Sequence, residues 1–394
     1  MKRKWLIYGF LLMLLAGVFT GGYMLLLRHT DISTRISECE SEGYRKQQCF
    51  AELVEMVATD DGIAPAFDAL AEIYSRDGEF AEYCHGNTHE LGRIAYDSWS
   101  SGEKFTLSDK TPYCGFGFYH GFIEALMEHE GDILRARAFC EYADMQLSGT
   151  IQGISFACYH GIGHGVTDGT DPSLWGNEDA FIAPGLALCD TLGAIEEHKE
   201  RCASGVFNAL AIAYRNPKYE FKANPNDPYR VCRKQNIRYA REACYDQMNT
   251  FVVESVGSFK EALLVAESKA ELAYRKLAVM TVAGYQAQGA IAAAGDLGEY
   301  ERACDVVSEQ YRDVCAHGFA VGLIEFGKPG EEYIAAVGAC DGAGDRKTGC
   351  LNGLIQGIHD RMPKVRIPDA CTYIGKKEGS DVEALCRSGN VQAP

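Results

Sequence analysis

The sequence predicts an all-α fold, an α-solenoid of disulfide-stapled helical hairpins behind one N-terminal transmembrane helix. Three observations predict it. Cysteines return at repeat-like intervals through most of the 394 residues, the segments between them carry apolar residues at helical spacing, and a long apolar run without charge lies near the start.

The apolar run comes first in the chain. Met1-Lys2-Arg3-Lys4 precedes 23 uncharged residues, Trp5 to Leu27. At about 1.5 Å per residue a helix of that length reaches about 34 Å, enough for a hydrocarbon core of about 30 Å. The basic tip predicts that residues 1–4 are cytoplasmic, 5–27 a signal anchor in the cell membrane, and 28–394 an extracytoplasmic helical-repeat domain. A cleaved signal peptide is the competing reading. The run is long for one, and no clear Ala-x-Ala site follows.

Sixteen cysteines agree with that compartment, because disulfides persist outside the cytosol. The short phrase Cys-x-x-Gly recurs at Cys114, Cys158, Cys202, Cys315, Cys350 and Cys386. With Cys244 included, the markers are spaced by 44, 44, 42, 71, 35 and 36 residues, and Thr281-Val-Ala-Gly284 divides the step of 71. Periods of this size signal stacked helical hairpins, about nine here. Ala66–Tyr74 and Phe259–Ser268 read as amphipathic helix. Residues 167–184 and 216–228, rich in Gly, Pro, Asn and Asp, read as longer connections.

Neighbouring cysteines are expected to pair within each hairpin: Cys39/Cys49, Cys140/Cys158, Cys189/Cys202, Cys232/Cys244, Cys304/Cys315, Cys340/Cys350 and Cys371/Cys386, with Cys84/Cys114 the long exception. The Thr281 repeat lacks both the marker and a partner, as expected if every repeat holds its own bridge. A closed loop of about 15 residues is worth roughly 3 kcal/mol in the chain-entropy model. Four residues after the Gly stands a second small residue, at Gly121, Gly165, Ala209, Gly322 and Gly357. Small residues at i and i+4 share a helix face and let a neighbouring helix approach closely.

These repeats resemble the cysteine-rich Sel1-like branch of tetratricopeptide-type proteins. The resemblance is architectural. It implies a solenoid and a protein-binding role, and it carries over no catalytic residue.

Five of ten histidines sit in or beside the phrase in three consecutive repeats: His85, His89, His120, His160 and His164. His85/His89 and His160/His164 are spaced i, i+4, as are His120 and Glu124. That spacing stacks two side chains on one helix face and can offer both to one metal. If neighbouring helices bring them together, His85, His89, His120, Glu124, His160 and His164 form a set suited to zinc, copper, iron or nickel. Glu90 and Glu124 are the proton-transfer candidates if the site is catalytic. Asn208, Val321 and Gln356 occupy the equivalent of His120 and His164 in other repeats, so the fold does not itself demand His there. His198, His317 and His359 read as core residues with satisfied hydrogen bonds. Tyr119 and Tyr159 read as core more readily than as ligand-orienting groups, and Trp175 is a candidate cover for the site.

Acidic residues outnumber basic ones by 55 to 38, giving a net charge of −17. Such a surface repels phosphate backbones and argues against a nucleic-acid partner. No Gly-x-Ser-x-Gly elbow, Walker loop, dinucleotide fingerprint, His-Glu-x-x-His or Cys-x-x-Cys-His motif occurs. The function expected is transition-metal binding through the His cluster, with metalloenzyme activity left open. The alternatives are a non-catalytic protein-protein interaction scaffold on the solenoid surface, and a haem or small-molecule pocket between helices.

Overall fold

The computed structural model describes residues 31–391 apart from 104, 148, 150–152 and 294–295. The proposed anchor, 5–27, lies outside the described residues, and no described helix is long and apolar enough to cross a membrane. The chain divides into two compact units, 1–53 and 54–394. In the first, α1 (Ile32–Glu40) leads through a short 3-10 turn to α2 (Lys46–Asp60), within which the boundary falls, and Cys39 is bonded to Cys49.

The second unit is helical throughout its described residues. It begins with α3 (Ile63–Arg76), α4 (Ala81–Ser100) and α5 (Gly117–Glu130). Seven pairs follow, each an outer helix and an inner one: α6 (Ile133–Leu147) with α7 (Ile154–Asp168), α8 (Glu178–Asp190) with α9 (Glu196–Ala213), α10 (Arg230–Arg233) with α11 (Arg238–Ser255), α12 (Phe259–Lys269) with α13 (Arg275–Ala292), α14 (Leu297–Arg302) with α15 (Glu309–Phe326), α16 (Glu332–Asp341) with α17 (Lys347–Arg361), and α18 (Ile367–Glu378) with α19 (Ser380–Ser388).

Six of the seven pairs carry the expected bridge, Cys140–Cys158, Cys189–Cys202, Cys232–Cys244, Cys304–Cys315, Cys340–Cys350 and Cys371–Cys386. The pair α12/α13, the Thr281 repeat, has none, and no cysteine is free. Cys84–Cys114 also forms, but it joins an inner helix to the loop before the next one. The reason is that α5 has no outer helix; an irregular segment, 101–116, takes its place. One expected connection is shorter than its composition suggested. Helix α8 starts at Glu178, where the Asn177 side chain caps the amide of Ala180, and Pro184 lies inside it.

Successive inner helices approach unusually closely. A Cβ added at Gly121 would sit 1.9 Å from the His89 carbonyl oxygen, one at Gly205 1.9 Å from that of His160, and one at Gly353 2.2 Å from that of His317. These glycines therefore rest on the backbone of the preceding inner helix, and any side chain there would push the two apart.

Helices α4, α5, α7, α9, α11 and α13 pack in succession, and α13 returns to α4, where Gln288 donates to the Ala81 carbonyl at 3.2 Å. The inner series continues as α15 on α13 and α17 on α15. Its ends reach back to the beginning: the Tyr74 hydroxyl donates to the Phe326 carbonyl, and the Arg361 guanidinium lies over Phe116, 5.5 Å from the ring centre. The inner helices enclose a cavity of about 810 Å³.

Gly205→Ala is expected to lower the thermal midpoint by an amount equivalent to about 1–3 kcal/mol, the cost of overpacking a close contact. Gly338→Ala, on α16 with no atom within 4 Å of the new Cβ, is expected to be neutral or stabilising by up to about 1 kcal/mol. Equal midpoints for the two variants in thermal unfolding would contradict the glycine-on-carbonyl packing.

Candidate metal centre

Two inner helices, α4 and α5, and the irregular segment before α5 build the site. His85 and His89 stand one turn apart on α4, and His120 stands on α5. One nitrogen from each lies within 4.8 Å of the other two. A tetrahedral ion holding imidazoles at about 2.0–2.1 Å would need them about 3.3 Å apart, a closure that side-chain rotation can supply. His85 and His120 line the cavity, and His89 stands behind them.

The outer nitrogens decide what the inner ones can do. Nδ1 of His85 is 2.7 Å from the Cys114 carbonyl oxygen, which can only accept, so the proton is on Nδ1 and the Nε2 lone pair is free. Nδ1 of His89 faces the Glu124 carboxylate at 3.4 Å, which sets the same tautomer. The two Nε2 atoms then meet at 3.1 Å. Two lone pairs at that distance repel unless a cation lies between them, either a metal ion or a proton added to His89. A carbonyl behind one imidazole and a carboxylate behind another is the outer support that metal-binding histidines commonly have.

The Cys114 carbonyl is held in place by a local backbone distortion. Cys114, Gly115 and Phe116 all have positive φ, 57°, 72° and 62°. Only the middle residue is a glycine, so this turn carries strain at both flanks. The Cys84–Cys114 bond ties it to α4 one residue before His85.

The other expected ligands are placed differently. Glu124 lies behind His89 rather than beside its free nitrogen, 3.1 Å from His164 Nδ1 and 3.6 Å from Arg93. His164 turns toward Glu124 and toward Asp168 at 2.8 Å, though neither contact gives His164 Nδ1 or Glu124 Oε1 an aligned hydrogen bond. His160 stacks on His120 at 4.7 Å between ring centres, and its Nδ1 is 2.8 Å from the Ser204 hydroxyl. Of the six, His85, His89 and His120 form the triad, while Glu124, His160 and His164 surround it. Glu90 does not border the cavity. Tyr119 bonds the Thr111 hydroxyl at 2.6 Å in the core, Tyr159 stacks on His198, and Trp175 packs against Tyr219 rather than over the site. His359 and His317 each have a ring nitrogen hydrogen-bonded, to the Cys386 carbonyl and to Gln356.

Electrostatics divides the histidines into two kinds. Burial, with help from His89, pushes His85 down to about 4. Burial, then His164, lowers His160 to about 3, and burial with the surrounding imidazoles holds His120 well below its ordinary value. All three are neutral at neutral pH, as metal ligation requires. Burial would lower His164 too, but the carboxylates of Asp168 and Glu124 outweigh it and raise it to about 9. Burial opposes the charge on Glu124, and His164, His89 and Arg93 overcome that and hold its carboxyl well below the usual range.

Sequence reasoning missed the opposite wall. Asn208 and Tyr285 both donate to the Gln247 side-chain oxygen at 3.0 Å, and Gln247 donates to Asp246 at 2.8 Å. Gln247 occupies the marker-glycine position of its repeat, so the missing Gly was the available signal. Arg201, Glu325 and Arg361 border the same cavity, and a lone charged residue on a helix carries no sequence signal.

The signs give a pH profile. His85, His120 and His160 bind protons more readily unfolded than folded, so their contribution to stability is present above about pH 6.5 and is lost as pH falls toward about 4. His164 binds its proton more tightly when folded. Its contribution is full below about pH 6.5 and is lost as pH rises through about 9. Thermal unfolding of His164→Gln should show a deficit of about 3 kcal/mol near pH 6 that shrinks by about pH 10. A deficit that stays constant across that range would contradict the assigned ion pairs.

Comparison with protein-family models, with curated proteins and with solved structures gives no match, so what the chain does is argued from the site itself.

Proposed function

We propose that this chain is a membrane-anchored extracytoplasmic protein that holds a transition metal on His85, His89 and His120 and presents it to a small molecule in its central cavity. The observation that carries the reading is the meeting of the His85 and His89 Nε2 atoms at 3.1 Å, with the Cys114 carbonyl behind one ring and the Glu124 carboxylate behind the other. All-imidazole ligation suits zinc, copper or iron, and the thiolates that would favour softer chemistry are consumed in disulfides. Three protein ligands leave a further position for water or substrate, where a metal can act as a Lewis acid.

The cavity supports a small-molecule occupant over a protein one. Its volume of about 810 Å³ falls in the range of ligand pockets, about 300–1,000 Å³. Eight disulfides without a free cysteine suit the oxidising compartment that residues 5–27 would deliver the domain to.

Elemental analysis of the full chain, purified without chelator or His-tag, is expected to find a stoichiometric transition metal. His85→Ala and His89→Ala should each lose it. His160→Ala should keep it, because its ring is held by Ser204 and lies outside the triad. Metal absent from the wild type after reconstitution with zinc, copper and iron in turn would overturn the reading.

A further inference from the structure

Beyond the triad, the cavity holds two arginines with the same defect. Arg201 and Arg361 both border it, and in each the Nε is buried without a hydrogen-bond partner. They differ in what surrounds the rest of the guanidinium. Arg361 has Glu325 at 3.4 Å, whereas Arg201 forms no ion pair among the described residues. The plane of Arg201 lies over Phe156, 4.8 Å from the ring centre, which supports the group without satisfying its donors. Arg215, just beyond the other end of α9, also borders the cavity but is ion-paired with Glu254 and has no such freedom.

A buried Nε–H with no acceptor is costly to maintain unless something else accepts from it. Its place relative to the metal centre suggests what that is. Arg201 is one turn before Ser204 on α9, and the Ser204 hydroxyl contacts Nδ1 of His160. His160 in turn stacks on the ligand His120. Guanidinium, hydroxyl and imidazole thus lead along one wall to the triad. Glu200, Glu242 and Asp246 border the same wall beyond ion-pair distance of Arg201; burial raises the carboxyls of Glu200 and Asp246, and the Arg201 charge works against that rise from a distance without a hydrogen bond.

We propose that Arg201 is the anchor for the oxyanion, a carboxylate or a phosphate, of a small molecule whose other end faces the His85/His89/His120 centre. Only the last clause rests on the metal reading; the anchor itself stands on the cavity and the unpaired guanidinium. The planar fork of Arg matches either anion with two parallel hydrogen bonds.

Acetate and inorganic phosphate, titrated separately into the full chain before and after chelator treatment, test this by calorimetry. One of them is expected to bind in both states, the stronger of the two identifying the anion class. Arg201→Gln should weaken it by about tenfold or more, the loss of a charged hydrogen bond, while Arg215→Gln should leave it unchanged. Failure of both anions to bind the wild type, or equal binding by a folded Arg201→Gln, would overturn the proposal. Should that variant not fold, phenylglyoxal modification of the wild type read by peptide mass replaces it: Arg201 protected by the bound anion supports the anchor, and Arg201 modified at the same rate with and without it overturns it. Anion binding by a chain that holds no metal would remove the metal reading and keep this one.

Discussion

Contact between a glycine and a neighbouring backbone is the constraint on which the larger unit depends. Several inner helices each lay a glycine on a carbonyl of the helix before, as Gly121 does on His89, Gly205 on His160, Gly318 on Met280 and Gly353 on His317. Interior glycine costs helix stability, about 1 kcal/mol relative to alanine. Close-packed backbones and buried flanking side chains offset it. Where the phrase is complete, as at Cys202/Gly205 and Cys350/Gly353, the disulfide lies one turn from the contact glycine and pins the outer helix to the inner one, so the repeat is both stapled and spaced from a single short phrase.

That spacing also determines where chemistry can occur. Residues beside the contact glycine project toward the enclosed space, because the opposite side of the inner helix is taken by its outer partner. His85, His160 and His317 offer their carbonyls to the next repeat's glycine, at Gly117, Gly205 and Gly353, and all three side chains border the cavity. His85 and His160 are therefore equivalent positions although they stand one and two residues after their cysteines. The loop that replaces the outer helix of α5 breaks the cysteine register there while the glycine register continues.

The irregular segment before α5 does the most for the site. Positive φ at Cys114 and Phe116 costs of order 1–3 kcal/mol each. In return Cys114 presents its carbonyl to His85, and Phe116 carries the guanidinium of Arg361. A regular outer helix at this place would have spent the same carbonyl within itself. The departure from the repeat thus coincides with the group that fixes the His85 tautomer.

The sequence by itself determined the helical class, the period, the disulfide partners and the His-rich character of three repeats. These are local properties: every bridge but Cys84–Cys114 lies within one hairpin, and i, i+4 spacing places two residues on one face whatever the surroundings. It also named the histidines that meet, His85, His89 and His120, among a larger set. Only the tertiary structure decided which members of that set converge. Glu124 stands behind His89 and His164 points away because the crossing of α5 on α7 sets their height, and no spacing along the chain encodes that. Closure of α13 on α4, which turns a stack of hairpins into a cavity and brings Arg201 and Arg361 to its wall, depends on curvature summed over many repeats. A small rotation in each hairpin is invisible in its own residues and decisive after six.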